Sequence, residues 1–352
     1  MRIHFLPARF GDCILIEYVD GPHNRRVLID GGTAGTRHDI RKILRSSTAE
    51  LELLVVTHID RDHIEGILGL LAEGDPGFTT KDFWFNGWCH LPDVPEDERF
   101  GAVQGERLTQ RIVDLDLPWN KKFLGAAVMI DDQLPLPEIE LEGGLKLTLL
   151  GPTADKLALL KNVWEEEVRE ANLDPGFGLE PNDEEEESDE SFDAVDLPDV
   201  PALAAEPFEE DTSAANGSSI AFLAEYKGKR LLFSGDAHPT ALLAALERLS
   251  PGQPLTLDLF KLPHHGSSHN INAKLIQKVR CPYFVFSTNG SIYDHPDRAA
   301  VARVITHARE PELIFNYRSP DNLIWETGLL QRRHRYKARY PAAGKKGIVI
   351  EL

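Results

Sequence analysis

The sequence has few cysteines and no long apolar run, and each absence excludes a class of protein. Its three cysteines, Cys13, Cys89 and Cys281, are far apart, odd in number and form no CxxC pair. This excludes a disulfide framework and argues against a cysteine metal cluster, so we expect buried thiols. No apolar run approaches the roughly 18–20 residues that span a bilayer. Proline, arginine and aspartate interrupt the first apolar residues, unlike a secretory signal. The sequence predicts a cytoplasmic protein with no membrane partner.

Charge is distributed unevenly along the chain. The 352 residues include 57 Asp or Glu and 38 Lys or Arg, a net charge of -19, which excludes a protein coated in basic charge. Residues 180–211 contain 15 carboxylates and no Lys or Arg, so the rest of the chain carries only -4. Residues 331–346 contain seven Lys or Arg and no acidic residue. Local charge, not net charge, is therefore informative about partners.

Composition and hydrophobic patterning predict one α/β domain with an insertion. Apolar residues make up 42% of the chain, enough for a substantial core. Short β runs open the sequence, and several later strands each end in a polar loop. The acidic stretch at about 172–215 cannot bury enough apolar surface to order itself, and we predict it to be disordered. We expect residues 1–325 to form the domain and residues 326–352 to form a basic extension packed on it.

Four potential metal ligands lie within six residues, in a loop before a predicted helix. They are His58, Asp60, Asp62 and His63. Loop residues point inward at different angles, so His58 and Asp60 can bind one ion while the other two bind a neighbouring ion. Nitrogen and carboxylate ligands suit Zn²⁺, Mn²⁺ or Fe²⁺ better than Ca²⁺ or Mg²⁺. A capped helix start would explain one carboxylate, but not two histidines.

This loop resembles the HxHxDH signature of the metallo-β-lactamase superfamily, and further motifs follow in the same order. Asp30 ends its strand like the family's first motif. The SGD at 234–236 is similar to its aspartate motif, and the HHGS at 264–267 to its last histidine motif. HxDxDH, LPHHGSS and the YDHP at 293–296 are similar to the hydrolase domain of the ComEC/Rec2 competence group, without its membrane channel. The resemblance implies an αββα sandwich of two mixed β-sheets flanked by helices.

The resemblance also implies a centre of two divalent ions, Zn²⁺ or Mn²⁺, in each chain. The implied ligands are His58, Asp60, Asp62, His63, Asp236 and one of His264 and His265, the other histidine facing substrate. Asp60 replaces a histidine of the wider superfamily, which makes the site harder and favours Mn²⁺. Asp236 would bridge the ions, and a metal-bound hydroxide would be the nucleophile. Asp62 would orient it and take part in proton transfer, and His295 would donate a proton to the leaving group.

The chain departs from the superfamily at the third histidine motif. The sequence there is NGSS, at 216–219, and no histidine lies between His90 and Asp236. Asn216 could supply a side-chain oxygen, or the ion could keep extra water. His90 is another candidate, although an unrelated loop position is the expectation. The candidate substrate contacts are Asn216, Lys261, Ser267 and Ser268, with ordinary loop residues as the alternative for the last three.

The function that these residues favour is a two-metal phosphodiesterase, in particular a nuclease. The basic residues 331–346 could follow a nucleic-acid backbone, or they could be a solvated surface. The acidic insertion could compete for them or bind a protein partner. A hydrolase of small phosphodiesters or other esters is one alternative. A partner-controlled subunit of a larger assembly is another, supported by the missing third histidine. Trp84, Phe85 and Trp88 are expected in the core rather than in a base-stacking surface.

Overall fold

A computed structural model describes residues 1–44, 50–74, 76–92, 103–170 and 197–352. Its strands are β1 (Arg2–Phe5), β2 (Ile14–Asp20), β3 (His23–Ile29), β4 (Glu50–Leu51), β5 (Leu53–Val55), β6 (Thr79–Thr80), β7 (Phe83–Trp84), β8 (Glu138–Leu141), β9 (Leu145–Gly151), β10 (Ala221–Tyr226), β11 (Lys229–Phe233), β12 (Leu255–Thr256), β13 (Leu259–Lys261), β14 (Val279–Arg280), β15 (Tyr283–Phe286), β16 (Glu312–Phe315), β17 (Lys337–Arg339) and β18 (Ile348–Glu351). Its helices are α1 (Arg37–Leu44), α2 (Arg61–Ala72), α3 (Val103–Asp114), α4 (Ala154–Glu170), α5 (Val200–Ala204), α6 (Ala214–Gly217), α7 (Pro239–Leu249), α8 (Ala273–Gln277), α9 (Arg298–His307), α10 (Pro320–Leu323) and α11 (Gly328–His334).

Two large mixed sheets form the framework. The first has six strands in the order β18-β1-β2-β3-β5-β7, antiparallel from β18 to β3 and parallel from β3 to β7. The second has eight strands in the order β17-β16-β15-β13-β11-β10-β9-β8, with its parallel half running from β17 to β11. The pairs β4–β6 and β12–β14 are short additions. The predicted pair of mixed sheets is confirmed.

The two sheets lie between two layers of helices, and the side chains of one strand alternate between the sheet–sheet core and the core under a helix layer. In β2, Ile14 and Ile16 join the apolar cluster that both sheets share, whereas Leu15 joins a second cluster. This is the period of two expected of a strand buried on both faces. The second cluster includes core residues of α1, α2, α3 and α4, and the first extends to α7, α8 and α9 beyond the second sheet. The order of layers is therefore the predicted αββα.

The parallel strands of both sheets end at loops that carry the predicted site residues. β3 ends just before Asp30 and β5 just before His58, while β11 leads to Asp236, β13 to His265 and β15 to the loop that contains His295. Carboxyl ends of parallel strands share one edge of a sheet, which is where α/β proteins build their sites. The fold thus brings residues more than 200 positions apart to one place.

Residues 326–352 contribute a strand to each sheet. β17 pairs with β16, and β18 pairs with β1 in the register Ile3↔Ile350. The amino group of Met1 donates a hydrogen bond of 3.0 Å to the Leu352 carbonyl. The basic segment, predicted as an extension packed on the domain, thus contributes a strand to each of the two large sheets.

The acidic insertion is ordered where the structure describes it. Residues 171–196 lie outside the described residues. Residues 197–215 were also predicted to be disordered, but they contain α5, which packs against α9, and α6. Val200 is buried there, and the Arg303 guanidinium donates to the carbonyls of Glu206 and Pro207 at 3.2 and 3.4 Å. The prediction was wrong for these residues because it considered composition without the surface that receives them.

Smaller predictions about buried residues have mixed outcomes. Trp84, Phe85 and Trp88 lie in the core, as predicted. Cys13 and Cys281 are buried, but Cys89 is exposed, because it lies in a short surface 3-10 turn, Trp88–His90. Among the described helices, none combines the length and the apolar character that a bilayer crossing needs.

Candidate metal centre

Asp62, His63, Asp236 and His265 bring four potential ligand atoms together inside the protein. The Nε2 atoms of His63 and His265 lie 3.2 Å apart, and they lie 3.2 and 3.4 Å from Asp236 Oδ2. Asp62 Oδ2 lies 3.1 Å from His265 Nε2 and 3.7 Å from His63 Nε2. These side chains come from the first turn of α2 and from the loops after β11 and β13, so their convergence is a product of the fold.

The spacing of these four atoms fits a bound divalent ion. Zinc bonds to nitrogen and oxygen are about 2.0–2.2 Å long, so the corners of such a tetrahedron are about 3.3–3.6 Å apart. The five distances above, 3.1–3.7 Å, match that spacing. Two imidazole nitrogens and two carboxylate oxygens also form a donor set that Zn²⁺ and Mn²⁺ accept. The residues present therefore fit a metal.

His58 and Asp60 extend the set on the other side of Asp236. His58 Nε2 lies 3.4 Å from Asp60 Oδ2 and 3.8 Å from Asp236 Oδ2. Within the described part of the chain, His58 Nε2 and Asp236 Oδ1 are buried without a hydrogen-bond partner. A buried polar atom without a partner is costly, and ligation of an ion would satisfy both. His58 and Asp60 thus add a nitrogen and a carboxylate oxygen to the donor set on this side of Asp236.

Asp30 contacts His63 on the side of the imidazole ring that faces away from the cluster. Its Oδ1 accepts a hydrogen bond of 2.7 Å from the Thr57 amide, and its Oδ2 accepts one of 2.8 Å from the Thr57 hydroxyl. Asp30 Oδ2 also lies 2.8 Å from His63 Nδ1. This bond engages Nδ1 of the imidazole and leaves Nε2 for the cluster, the usual arrangement of a ligating histidine.

The other two histidines of the cluster are oriented in the same way. His58 Nδ1 lies 3.0 Å from the Thr57 hydroxyl and 3.3 Å from the Ser219 hydroxyl. His265 Nδ1 donates a 2.9 Å hydrogen bond to the Ser287 carbonyl. In each case Nδ1 is engaged and Nε2 faces the carboxylates. Ser219 also accepts a 3.1 Å hydrogen bond from the Asp236 amide, which fixes the shared aspartate.

Asp12 is a buried carboxylate close to the cluster that the sequence motifs did not indicate. One ligand atom each of Asp12, His63, Asp236 and His265 lies within 4.8 Å of the others. Asp12 Oδ1 is 3.6 Å from His265 Nδ1, on the far side of that ring from the cluster, and Oδ2 is ion-paired with Lys261. We therefore place Asp12 behind the ligands. Asp12 lies in the sequence RFGDC, residues 9–13, where no other histidine or carboxylate gives a ligand spacing.

Lys261 is not placed to contact a substrate, contrary to prediction. Its side chain is 1% exposed, and its ammonium donates to the Gly235 carbonyl at 3.3 Å besides pairing with Asp12. Burial alone would raise the pKa of the Asp12 carboxyl, but the Lys261 and His265 charges outweigh burial and hold that pKa well below its usual range. Lys261 is thus a buried counter-charge for the carboxylates of the site.

The two adjacent histidines, His264 and His265, point in different directions. Both have left-handed backbones, with φ of 47° and 53°, and their rings are inclined by 70°. His265 joins the cluster, whereas His264 Nδ1 lies 2.8 Å from Asn270 Oδ1, and the ring lies 5.5 Å from that of His295. Of the two predicted candidates, the geometry favours His265 as the ligand.

Asn216 lies beside His264 and is fixed by an aspartate of the acidic segment. Its Nδ2 donates a 2.7 Å hydrogen bond to Asp211 Oδ2 and lies 3.4 Å from His264 Nδ1. Its Oδ1 is buried without a hydrogen-bond partner in the described part of the chain. Asp211 also accepts a 3.0 Å hydrogen bond from Asn270. Sequence reasoning missed Asp211 because the many carboxylates around it hide any signal.

His295 is backed by Asp297. His295 Nδ1 lies 3.0 Å from Asp297 Oδ1, and the Ser268 amide donates to Asp297 Oδ2 at 2.7 Å. Burial would raise the pKa of Asp297, but its bonds to His295 and Ser268 lower that pKa to about 2. Ser267 is buried, and its hydroxyl accepts a 3.2 Å hydrogen bond from the His269 amide. It stabilises the loop and is not exposed to a substrate, contrary to prediction.

His90 belongs to a different part of the protein. Its Nδ1 accepts a 3.1 Å hydrogen bond from the Gly87 amide, and its Nε2 lies 3.3 Å from Asn120 Nδ2. Burial lowers the pKa of His90 to about 4, so the imidazole is neutral near pH 7. His90 therefore does not replace the missing third histidine.

Comparison with known proteins gives two findings. The family model described as the metallo-beta-lactamase superfamily matches residues 6–290. Among solved structures, a mutant of the CmlA beta-hydroxylase is 13% identical, with a TM-score of 0.39. The alignment covers 100% of this chain and 54% of that protein, so this chain spans about half its length.

Proposed function

Because this chain belongs to the metallo-β-lactamase superfamily, we propose that it is a dinuclear metal-dependent phosphodiesterase that acts as a nuclease. The observation that carries the proposal is the convergence of Asp62, His63, Asp236 and His265 at the spacing of metal ligands, with His58 and Asp60 adjacent. Three of these six side chains are carboxylates. A set with as many carboxylates as histidines supports phosphoester chemistry, for which two-metal sites are well suited.

Two divalent ions at this site would supply a water-derived nucleophile at neutral pH and neutralise charge on the phosphoryl group. His63 and His265 hold their Nε2 atoms toward that position because Asp30 and the Ser287 carbonyl engage their Nδ1 atoms. The side chain of Asp62 is 15% exposed and lies at the edge of the cluster. It orients the attacking water and accepts its proton.

His295 donates the proton that the leaving oxygen needs. Its Nδ1 is engaged by Asp297, which leaves Nε2 as the nitrogen that exchanges a proton with substrate. Its ring is 5.5 Å from that of His264, and the His264 ring is 6.0 Å from that of His265. His295 is thus one side chain away from the cluster. A general acid at this distance can reach the leaving group of a phosphodiester held beside His265.

The test is cleavage of labelled single- and double-stranded DNA and RNA with added Mn²⁺. We expect wild type to cleave at least one of them, and Asp236→Ala to lose at least about 100-fold in rate together with bound metal. The matched control is Asp132→Ala, since Asp132 is exposed and lies outside the cluster. Wild-type protein that binds metal but cleaves neither nucleic acid nor a chromogenic diester would refute the proposal.

A further inference from the structure

A basic pocket of about 820 Å³ opens beside the loop that carries Asp12. Its walls come from four parts of the chain. The loop between β1 and β2 contributes Pro7 and Arg9, residues 35–39 contribute a second wall, and Tyr317 and residues 344–346 contribute the others. None of the six side chains assigned to the metal centre lines it. It is therefore distinct from the metal centre.

The pocket concentrates positive charge in an acidic protein. Arg9, Arg37, Lys345 and Lys346 line it, together with His38 and a single carboxylate, that of Asp39. Lys345 and Lys346 are exposed, and neither ammonium has an ion-pair partner within the described part of the chain. The chain as a whole carries a net charge of -19. An excess of cations at this one place favours an anionic ligand.

The loop at the pocket is fixed to the metal centre. The Tyr317 hydroxyl accepts a 2.7 Å hydrogen bond from the Arg9 amide, and the Asn289 amide donates a 2.8 Å bond to the Arg9 carbonyl. Three residues further on, the Asp12 amide donates to the Asp62 carbonyl at 3.2 Å. Three residues span at most about 10 Å. The pocket and the cluster are therefore a short, fixed distance apart.

The two lysines reach the pocket from the same edge of the second sheet. They follow β17, which is parallel to β16 and β15, so its carboxyl end lies at the edge that holds the cluster. The Gly347 amide donates a 2.8 Å hydrogen bond to the Asn316 carbonyl, which holds this loop against the one after β16. Other basic residues of the segment lie elsewhere: Arg335 and Lys337 line a separate pocket with Glu310 and Glu312.

From this arrangement we infer that the pocket binds phosphate groups that flank the scissile ester, so that the substrate is a polynucleotide strand rather than a small phosphodiester. The inference rests on the proposed function. A volume of about 820 Å³ greatly exceeds that of one phosphate. Several cations within reach of one strand neutralise successive phosphates, which is how proteins hold a nucleic-acid backbone without reading its sequence.

The test compares two double variants that remove equal charge. The variant Lys345→Ala with Lys346→Ala removes the two exposed lysine charges from the pocket. Arg332→Ala with Arg333→Ala is the matched control, since both arginines are exposed in the same basic segment and do not line the pocket. Binding of fluorescein-labelled dT20 and U20 is measured by anisotropy at several NaCl concentrations. The two oligonucleotides distinguish DNA from RNA as the source of the phosphates.

We expect the lysine variant to bind at least one oligonucleotide about ten-fold more weakly. The slope of log K against log salt should fall by about 1.4, since each single-strand phosphate contact contributes about 0.7. The arginine variant should remain within two-fold of wild type. Equal binding by both variants, or equal loss in both, would overturn the inference. Competition by dTMP as effective as that by dT20, at equal phosphate concentration, would overturn it too.

A separate measurement distinguishes failure of this inference from failure of the proposed function. If wild type hydrolyses bis(4-nitrophenyl) phosphate and the lysine variant binds dT20 and U20 like wild type, the phosphodiesterase stands and the pocket assignment is overturned. If wild type hydrolyses no phosphodiester, the proposed function fails, whatever the oligonucleotides show. Because the two lysines are exposed, circular dichroism should show both variants folded. Lys345→Gln with Lys346→Gln repeats the test with side chains of similar length.

Discussion

The ammonium of Lys261 and the carboxylate of Asp12 form an ion pair behind the metal centre, where each side chain is only 1% exposed. Lys261 Nζ also lies 3.8 Å from Asp236 Oδ1. Burial alone would lower the pKa of Lys261, but the charges of Asp12 and Asp236 raise it. Lys261 therefore stays charged and offsets part of the negative charge that the carboxylates of the site bring into the interior.

Replacing Lys261 by Met should destabilise the protein strongly. The substitution leaves the Asp12 charge buried without its partner. Breaking a buried ion pair in this way lowers the free energy of unfolding by about 3–5 kcal/mol. Asp12→Asn with Lys261→Met should recover part of that loss. Urea unfolding measures both, with Lys274→Met at an exposed position as the control. A Lys261→Met protein that unfolds at the same urea concentration as wild type would contradict the importance of the pair.

Asp30→Asn should weaken metal binding while the fold remains. Asp30 has a left-handed backbone, φ 58°, which asparagine also tolerates, so the backbone should be little disturbed. The change alters the hydrogen bond to His63 Nδ1 and should lower metal affinity by about 10–100-fold. Competition with a metal chelator measures this, with Asp132→Asn as the control. Unchanged affinity in Asp30→Asn would show that His63 needs no such support.

Arg303→Met should release the segment at residues 197–211 from the domain. Arg303 donates to the carbonyls of Ser268, Ile271, Glu206 and Pro207 at 2.7–3.4 Å. Without these bonds, a glutamate-specific protease should cut after Glu206, Glu209 or Glu210 several-fold faster. Arg298→Met is the control, because Arg298 is exposed on the same helix, α9. Equal cleavage of the two variants would mean that the remaining contacts, those of α5 with α9 and of Glu210 and Asp211 with Thr240 and Asn216, hold the segment without Arg303.

Glu106→Gln should change how stability depends on pH. Burial raises the pKa of Glu106 to about 7, so the folded state favours the neutral acid. Wild type should lose stability as the pH rises from about 4.5, where Glu ionises when unfolded, to about 7. Glutamine carries no charge and should lack this loss. Glu106→Gln should therefore melt a few degrees higher than wild type at pH 8 and at nearly the same temperature at pH 5. Thermal unfolding at both pH values tests this, and an equal difference at both would contradict it.

The sequence predicted the parts of the site that local spacing determines. His58, Asp60, Asp62 and His63 lie within six residues where β5 leads into α2, so pattern alone located this part of the candidate site. The short apolar runs that open the chain likewise predicted strands, and β1, β2 and β3 lie there. Such features depend on neighbours in the chain, and a single sequence records them directly.

Other parts of the site depend on contacts between distant segments and could not be predicted. His264 and His265 are adjacent and identical in type, and only their contacts in the fold distinguish them: His265 Nε2 lies 3.2 Å from His63 Nε2, whereas His264 Nδ1 lies 2.8 Å from Asn270 Oδ1. Lys261 appeared to be a phosphate contact until its pairing with Asp12, 249 positions away, was visible. Asp211 could not be identified because it is one of many carboxylates in the acidic stretch, and the sequence does not show which of them contacts the site.

The pairing of β1 with β18 also sets the order in which this sandwich is completed during synthesis. About 340 residues separate the end of β1 at Phe5 from the start of β18 at Ile348. At roughly 5–20 residues per second, a ribosome makes that length in about 17–70 s. Throughout that time, β1 has an unpaired edge that carries Arg2 and His4 between buried apolar residues. The first sheet therefore cannot be completed until β18 has been made. Until then, the unpaired edge of β1 is a place where chaperones can bind or where chains can aggregate.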